Sequence, residues 1–600
     1  MLRHTSVTSR NEESESQPLL SLLSQPHSNV DDSVLLSCHL PKHFCITSKA
    51  ALLILFWTGL VGGLYTPVMG VVQYLALYML SLVYVNVSLP YMVLYFFVAL
   101  LYMFYPLSGF FADVFCGRLR TVTFSLCVVL CSLVVFLINY ALICYMTLPS
   151  SWTYLLISVS SLSLFTLILG ETGYGANFIQ FGLDQLIEAP SQHQALFVHW
   201  AKWSYDLFST VFVVVFTYYS CHLGSFPASF VLVLPLVLCT CLLVLLLPFS
   251  CWKHRWFYDQ PGQRNPFKVV VKVLNFVRKH RYPLQRSAFT YCDDESPSRL
   301  DIAKERYGGP FTTEQVEDVK TFLRIVVILL TIGPAFIMEV PTSIVSLHFI
   351  GRHITSNELG QFCDQWKWIL IDSGLLRCLV RTLFLPVYIW INFTLLQKRV
   401  PKILFRIGLG ITIYMLGIVS IVAVDVAGHI LYQQNDTQCI FNLQTLNDSS
   451  DSIPAITVPD LHSTLLFIVP NLTMHWSTLI LPNIFLGIGP TLVTATTYEF
   501  ISTQSPHSMK GLLLGTFFAI TGGFEFFGSI ALTPFTSQMI WTNEHAPVIS
   551  CLASYLIIIC VVALIGLVLF SIVAKNYKYR ERDDRPYDQR FVVDFYSRYI

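Results

Sequence analysis

Residues 170–185 read GETGYGANFIQFGLDQ: four glycines, at 170, 173, 175 and 182, run through an apolar and aromatic stretch that also carries Glu171, Asn177, Asp184 and Gln185. The stretch closes an apolar block centred near Phe165. A membrane span needs about 20 predominantly apolar residues. Twelve blocks of that kind follow one another, centred near Trp57, Phe97, Val134, Phe165, Val213, Leu236, Leu330, Leu383, Met415, Phe485, Phe517 and Val562. The glycine-rich stretch is therefore the end of a fourth helix in a polytopic, all-α membrane protein.

Composition supports that reading. Of the 600 residues 54% are hydrophobic and 12% charged, and mean hydropathy is +0.61. A soluble chain normally carries about 25% charged residues. The net charge of +1 gives no reason to expect nucleic acid; the lipid bilayer is the expected partner. There is no glycine-rich phosphate loop, HExxH or Gly-x-Ser-x-Gly element, and Cys and His lack metal-ligand spacing. No cofactor and no enzymatic chemistry are expected.

Positive charge follows alternate blocks: Arg118 and Arg120; Lys253, His254 and Arg255; Lys398, Arg399, Lys402 and Arg406; Lys510; Lys575 and Arg580. Arg352 and Lys367 are the exceptions on the other side. By the positive-inside rule both termini are cytosolic. The sequons at Asn435, Asn447 and Asn471 then fall in one lumenal or extracellular loop near 429–475, and Asn86 lies on the same side. Asn392 also opens a sequon but sits inside a span. Most of the 16 cysteines read as small apolar residues. Cys221, Cys363 and Cys439 lie near lumenal connections, and a Cys363–Cys439 disulfide is one open pairing.

Five regions follow: a cytosolic tail over 1–45, a six-helix bundle over 46–250, a cytosolic linker over 251–321, a second six-helix bundle over 322–575, and a C-terminal tail over 576–600. The first tail is polar and expected to be disordered. It holds two acidic dileucine strings, Glu15 with Leu19 and Leu20, and Asp31 with Leu35 and Leu36. Such strings resemble addresses read by sorting adaptors, which gives the plasma membrane or an endolysosomal membrane as the destination. Within the linker, residues 265–274 read as a basic amphipathic helix on the membrane surface. Thr313 is placed to cap the helix entering the seventh span.

Four separated motifs carry a resemblance. Asn177, Phe181, Gly182, Asp184 and Gln185 match the fourth-helix signature of the proton-dependent oligopeptide transporter family, the solute carrier family 15-like branch of the major facilitator superfamily. Gly109, Asp113, Gly117 and Arg118 match its loop motif Gly-x-x-Ala-Asp-x-x-x-Gly-Arg, whose charged pair is expected to break and re-form in gating. The linker end and the string Tyr498-Glu499-Phe500…Gln504-Ser505-Pro506 also resemble the family. The resemblance implies two six-helix bundles that rock about a midplane site. It also implies that Glu499 holds a substrate amino group. The alternative for Glu499 is a buried ion pair joining helices.

The chain departs from the family at two places tied to coupling. The lysine two residues before the signature Asn is Gly175, and the first-span acidic–basic motif aligns with Val61, Leu64 and Tyr65. Intramembrane charge elsewhere marks candidate substrate contacts, because such residues are costly unless they face a cavity or a partner. These are Glu171, one turn before Gly175; Lys202 and Asp206, four apart on span five and able to neutralise each other; Glu339; Arg377; and Arg381. Asn177 is a further candidate substrate contact, and Trp200 a candidate pocket wall. Glu525, flanked by glycines in span eleven, reads as a packing residue.

The expected function is secondary-active transport of small peptides or amino-acid-like solutes, with the proton as coupling ion although the usual coupling residues are missing. The alternatives are an uncoupled or altered-substrate facilitator, or a transport-inactive membrane scaffold or sensor. A transporter predicts Glu499, Lys202 and a span-eight arginine opening onto one cavity. A scaffold predicts Glu499 closed in an ion pair, with no continuous polar cavity.

Overall fold

Apolar blocks of this length must satisfy their backbone hydrogen bonds internally in lipid, so they fold as helices. The computed structural model describes residues 49–63, 102–145, 150–186, 189, 191–223, 266–280, 298–339, 373–392, 400–434, 476–540 and 551–579. The helices are α1 Lys49–Gly63, α2 Tyr105–Phe111, α3 Arg118–Tyr145, α4 Ser150–Asp184 and α5 Ser191–Leu223. The linker helix is α6, Pro266–Lys279. The second half contributes α7 Thr313–Ile332, α8 Ser373–Trp390, α9 Ile403–Gln434, α10 Ile480–Gln504, α11 Lys510–Ile540 and α12 Cys551–Lys575.

Ten of the twelve expected span centres fall on these helices; the centres at Phe97 and Leu236 lie outside the described residues. So do the dileucine tail, the sequons at Asn86, Asn435, Asn447 and Asn471, and both Cys363 and Cys439. Among the described residues six helices are long and apolar enough to cross a membrane. The solvent for their outer faces is lipid. On α12, Val561, Leu564, Ile565, Val568, Leu569 and Ile572 are all exposed, a helical stripe that only a hydrocarbon environment tolerates at this density. Asn392, the sequon inside a span, is buried.

Residues Ile46–Ile600 form one unit. Within it α3 lies along α4, and α9 packs between α10 and α12. The two halves touch through α2 on α11 and through α5 on α8 and α10. Threonine and tryptophan side chains weld α5 to α8: Trp203 Nε1 donates to the Thr382 carbonyl at 3.0 Å, and the Thr210 and Thr382 hydroxyls lie 2.8 Å apart.

The linker is tied to the second half. α6 buries Val270, Val273 and Val277, spaced three and four residues apart as one helical face requires. The turn Arg299–Ala303 presents Asp301, which accepts from Lys320 at 2.5 Å and from the Ser298 amide and hydroxyl at 2.7 Å each. Burial pushes the Asp301 carboxyl up, but the lysines and serine outweigh it and hold the group well below the usual carboxylate range. The cap of α7 is Thr312, one residue before the expected Thr313. Thr312 Oγ1 accepts from the Gln315 amide at 3.3 Å, and Gln315 Oε1 accepts in return from the Thr312 amide at 3.3 Å. Only Thr312 has the extended backbone (φ −64°, ψ 153°) that lets its hydroxyl turn back over the first amides, while Thr313 is already helical.

Candidate functional site

The loop motif forms a clamp between the halves. After α2 the chain makes a π-helical turn, Ala112–Cys116, and leaves it at Gly117 with φ 79°, a left-handed conformation that favours glycine. That turn sets Asp113 beside Arg118. Arg118 donates to Asp113 Oδ1 from Nε at 3.2 Å and from Nη2 at 2.9 Å, and Nη1 reaches Asp184 at the end of α4. Asp113 Oδ2 crosses to the other half, accepting from the amides of Gly511 and Leu512 at 3.1 and 3.2 Å. A carboxylate there satisfies free amides at the α11 N-terminus and meets the positive end of the helix dipole. Gly109 is required by proximity: a Cβ on it would fall 2.3 Å from the Gly511 carbonyl oxygen. Gln185, at the same end, donates from Nε2 to the Phe181 carbonyl at 3.2 Å.

A second inter-half contact lies near the same end. Glu499, in the last turns of α10, accepts from His199 Nε2 of α5 at 2.9 Å and from Arg406 Nη2 of α9 at 2.9 Å. Arg406 Nη1 also donates to the Tyr388 hydroxyl of α8 at 2.7 Å. His199 is fully buried, and the Arg406 and Glu499 side chains are 8% and 10% exposed. Glu499 thus makes the closed ion-pair network of the alternative reading.

Beside that latch lies a cavity of about 480 Å³, walled by both halves. Lys202, Glu171, Glu339, Arg381 and Glu525 line it; Glu499 is not among its lining residues, although its neighbour Tyr498 is. The structure therefore meets each of the two opposed expectations in part. Lys202 and a span-eight arginine do open onto one cavity, and Glu499 does not join them. Glu525, expected to pack, faces the cavity instead. Its glycine neighbour explains why: Gly522 has the Tyr102 ring where a Cβ would be, 2.1 Å from Cγ, so the ring lies against α11 one turn before Glu525.

Charges in the cavity are partly matched. Lys202 Nζ donates to Asp206 at 2.5 Å and stands 5.1 Å from the Tyr205 ring centre. Arg381 lies 3.7 Å from Glu339, which accepts from the Tyr414 hydroxyl at 2.7 Å. Arg377 is buried beside Arg381 and Glu339 but does not line the cavity. Asn177 is fully buried, donating to the Gly173 carbonyl at 2.9 Å and the Ser108 hydroxyl at 3.3 Å, so it packs α4 against α2 and does not reach the cavity. Trp200 packs edge-on to Trp203, 5.1 Å between ring centres, and is also outside the lining.

The missing lysine has a structural counterpart. Gly175 lines the cavity, and a Cβ there would sit 3.2 Å from the Tyr105 ring, so the tyrosine occupies the approach a lysine stem would take. Val61, at the first-span departure, also lines the cavity; Leu64 and Tyr65 lie outside the described residues. His199, Arg406 and Tyr388 were not singled out by the sequence for any site. Arg406 read as a loop cation, and the signal that could have found it is its place in the first helical turn of α9, opposite an acid at the end of α10. Among the described residues no group of three His, Cys, Asp or Glu is arranged to hold a metal ion.

No family model matches the chain. Solute carrier family 15 member 3 from Mus musculus is 23% identical over 525 residues, covering 82% of this chain and 84% of its own length. Two solved structures share the fold. The POT family transporter PepTSo superposes with a TM-score of 0.58 at 15% identity, covering 89% of this chain and 99% of its own. An auto-inhibited POT family peptide transporter gives 0.59 at 17% identity, covering 90% and 99%.

Proposed function

We infer that this chain, a solute carrier family 15-like member of the proton-dependent oligopeptide transporter family with the twelve-helix major facilitator fold, carries small peptides or amino-acid-like solutes across its membrane by alternating access. The observation that carries the reading is the cavity of about 480 Å³ between the halves, lined by ionisable groups of both signs. A membrane interior tolerates such groups only where they face one another or a solute. The clamp at Arg118 and the latch at Glu499 close one end of the cavity. Glu499 acts in this scheme as a gate residue and not as the amine ligand. With both termini cytosolic, as the distribution of Lys and Arg favours, the closed end is the cytosolic one.

We assign proton coupling to the acids that line the cavity, Glu171, Glu339 and Glu525, since Gly175 and Val61 offer no ionisable group. We place the protein in the plasma membrane or an endolysosomal membrane, addressed by adaptors that read Leu19–Leu20 and Leu35–Leu36 and glycosylated on the 429–475 loop. The test is uptake of labelled dipeptide and of free histidine into proteoliposomes, with and without a pH gradient. Uptake above that of empty liposomes is expected, and an acid-outside gradient is expected to raise it. A signal indifferent to pH would leave transport and remove coupling; no uptake of either solute would remove small peptides and free amino acids as cargo.

A further inference from the structure

Among the described residues the cavity is lined by more acids than bases. Tyrosines aside, three acids and two bases line it. Both bases have acidic partners: Lys202 with Asp206 at 2.5 Å and Arg381 with Glu339 at 3.7 Å. Glu171 and Glu525 remain. Glu171 has the Tyr105 hydroxyl beside it but no cation among the described residues. The Glu525 carboxyl has neither a hydrogen bond nor an ion pair among the described residues; only its backbone carbonyl is engaged, by Ser529.

These two acids share one aromatic environment. Tyr102 feels Glu525 as its strongest charged neighbour and Glu171 as a further one, which sets its ring between α4 and α11. Tyr102 stacks on Tyr105 at 5.6 Å, Tyr105 meets Phe518 at 4.7 Å, and Phe518 meets Tyr498 at 6.0 Å. Electron-rich ring faces attract a cation within about 6 Å, and more strongly away from water. Aromatic faces together with unmatched carboxylates form a receptor for positive charge. Gly175, which stands where the family carries a lysine, borders the same cavity and adds to the imbalance.

Resting on the transport reading above, we propose that the solute is an organic cation of net positive charge, whose ammonium groups are held by the cavity acids Glu171 and Glu525 along the Tyr102–Tyr105 wall. A simple zwitterion brings a carboxylate for which the cavity has no unpartnered base among its described residues, whereas a diamine or a cationic amino-acid amide brings only what the site lacks. Every ammonium–carboxylate contact is charge-assisted and desolvated, so losing one is expected to weaken binding by about 10- to 100-fold.

The experiment uses the full-length chain, purified for ligand-induced thermal stabilisation and reconstituted for uptake. The probes are lysinamide and 1,5-diaminopentane, which carry no carboxylate, and diglycine as the zwitterion. The expected result is that both carboxylate-free cations bind and enter at least tenfold better than diglycine. Glu525→Gln and Glu171→Gln, nearly isosteric and each retaining cooperative unfolding, should each lose that preference, while Glu525→Asp keeps most of it. Diglycine preferred over both cations, with Glu525→Gln indistinguishable from wild type, would overturn the proposal and leave the transport reading standing. Failure of all three probes to bind or enter would overturn both.

Discussion

The clamp and latch at one end of the molecule and the cavity beside them use the same residue types to opposite effect. At Arg118, one guanidinium serves Asp113 and Asp184, and Asp113 spends its second oxygen on two amides of α11. At Glu499 both carboxylate oxygens are taken, by His199 and Arg406. In the cavity Glu171 and Glu525 have no cation among the described residues. Burial of a charge is costly without a partner, so matched acids hold helices together, whereas an unmatched acid must keep its proton or meet a cation. On the proposed function, the first set would move the halves and the second would meet the solute.

The strongest way to break the comparison is to empty the clamp. Arg118→Met leaves Asp113 and Asp184 buried without their cation, and removing one partner of a buried ion pair costs about 3–5 kcal/mol. The expected outcome is loss of most folded protein, read by detergent melting and by yield at the membrane. Normal yield and melting would show that Arg118 is dispensable to packing. The latch should respond less. Glu499→Gln keeps the shape but weakens two charge-assisted hydrogen bonds, at about 1.5–3 kcal/mol each. The cavity should then open more often at this end, seen as at least tenfold faster maleimide labelling of Tyr498→Cys from the α3 N-terminal side. Unchanged labelling would return Glu499 to the substrate site. The smallest effect is expected in the cavity. Gly175→Lys restores the family cation near Glu171 and pushes on Tyr105, so lysinamide binding should fall by about tenfold, or 1.4 kcal/mol. Adding Tyr105→Ala should relieve the crowding without restoring cation binding.

Much of the architecture was legible from local pattern. Apolar blocks of span length, the alternation of basic loops and the amphipathic period of residues 265–274 each depend only on near neighbours in sequence, and the helices follow them. The α7 cap was legible to within one residue, because both Thr312 and Thr313 are cap formers and only the backbone angles separate them. The Asp113–Arg118 pair was legible because five residues and a glycine turn bring the two together. Glu499 was found as an unusual buried acid, with an ion pair joining helices as the alternative to a substrate contact, but its partners were not legible. Its partners lie 93 and 300 residues away, and nothing local to any of the three announces the pairing. Glu525 was set aside as a packing residue because its flanking glycines suggested close helix contact. The contact exists, but it is with the Tyr102 ring, and it leaves the carboxyl beside the cavity.

By itself, then, the sequence determined that this is a helical membrane protein in two halves, because hydrophobic length and loop charge act residue by residue against the bilayer. It also marked which ionisable groups fall within apolar blocks. Which of them are spent on one another was decided only by tertiary structure, since the energy of a buried charge depends on the few ångströms around it. The glycine at 175 shows both levels at once: the sequence shows that a lysine is absent, and the fold shows that Tyr105 stands in the approach its side chain would take, with Glu171 left unmatched by any cation among the described residues.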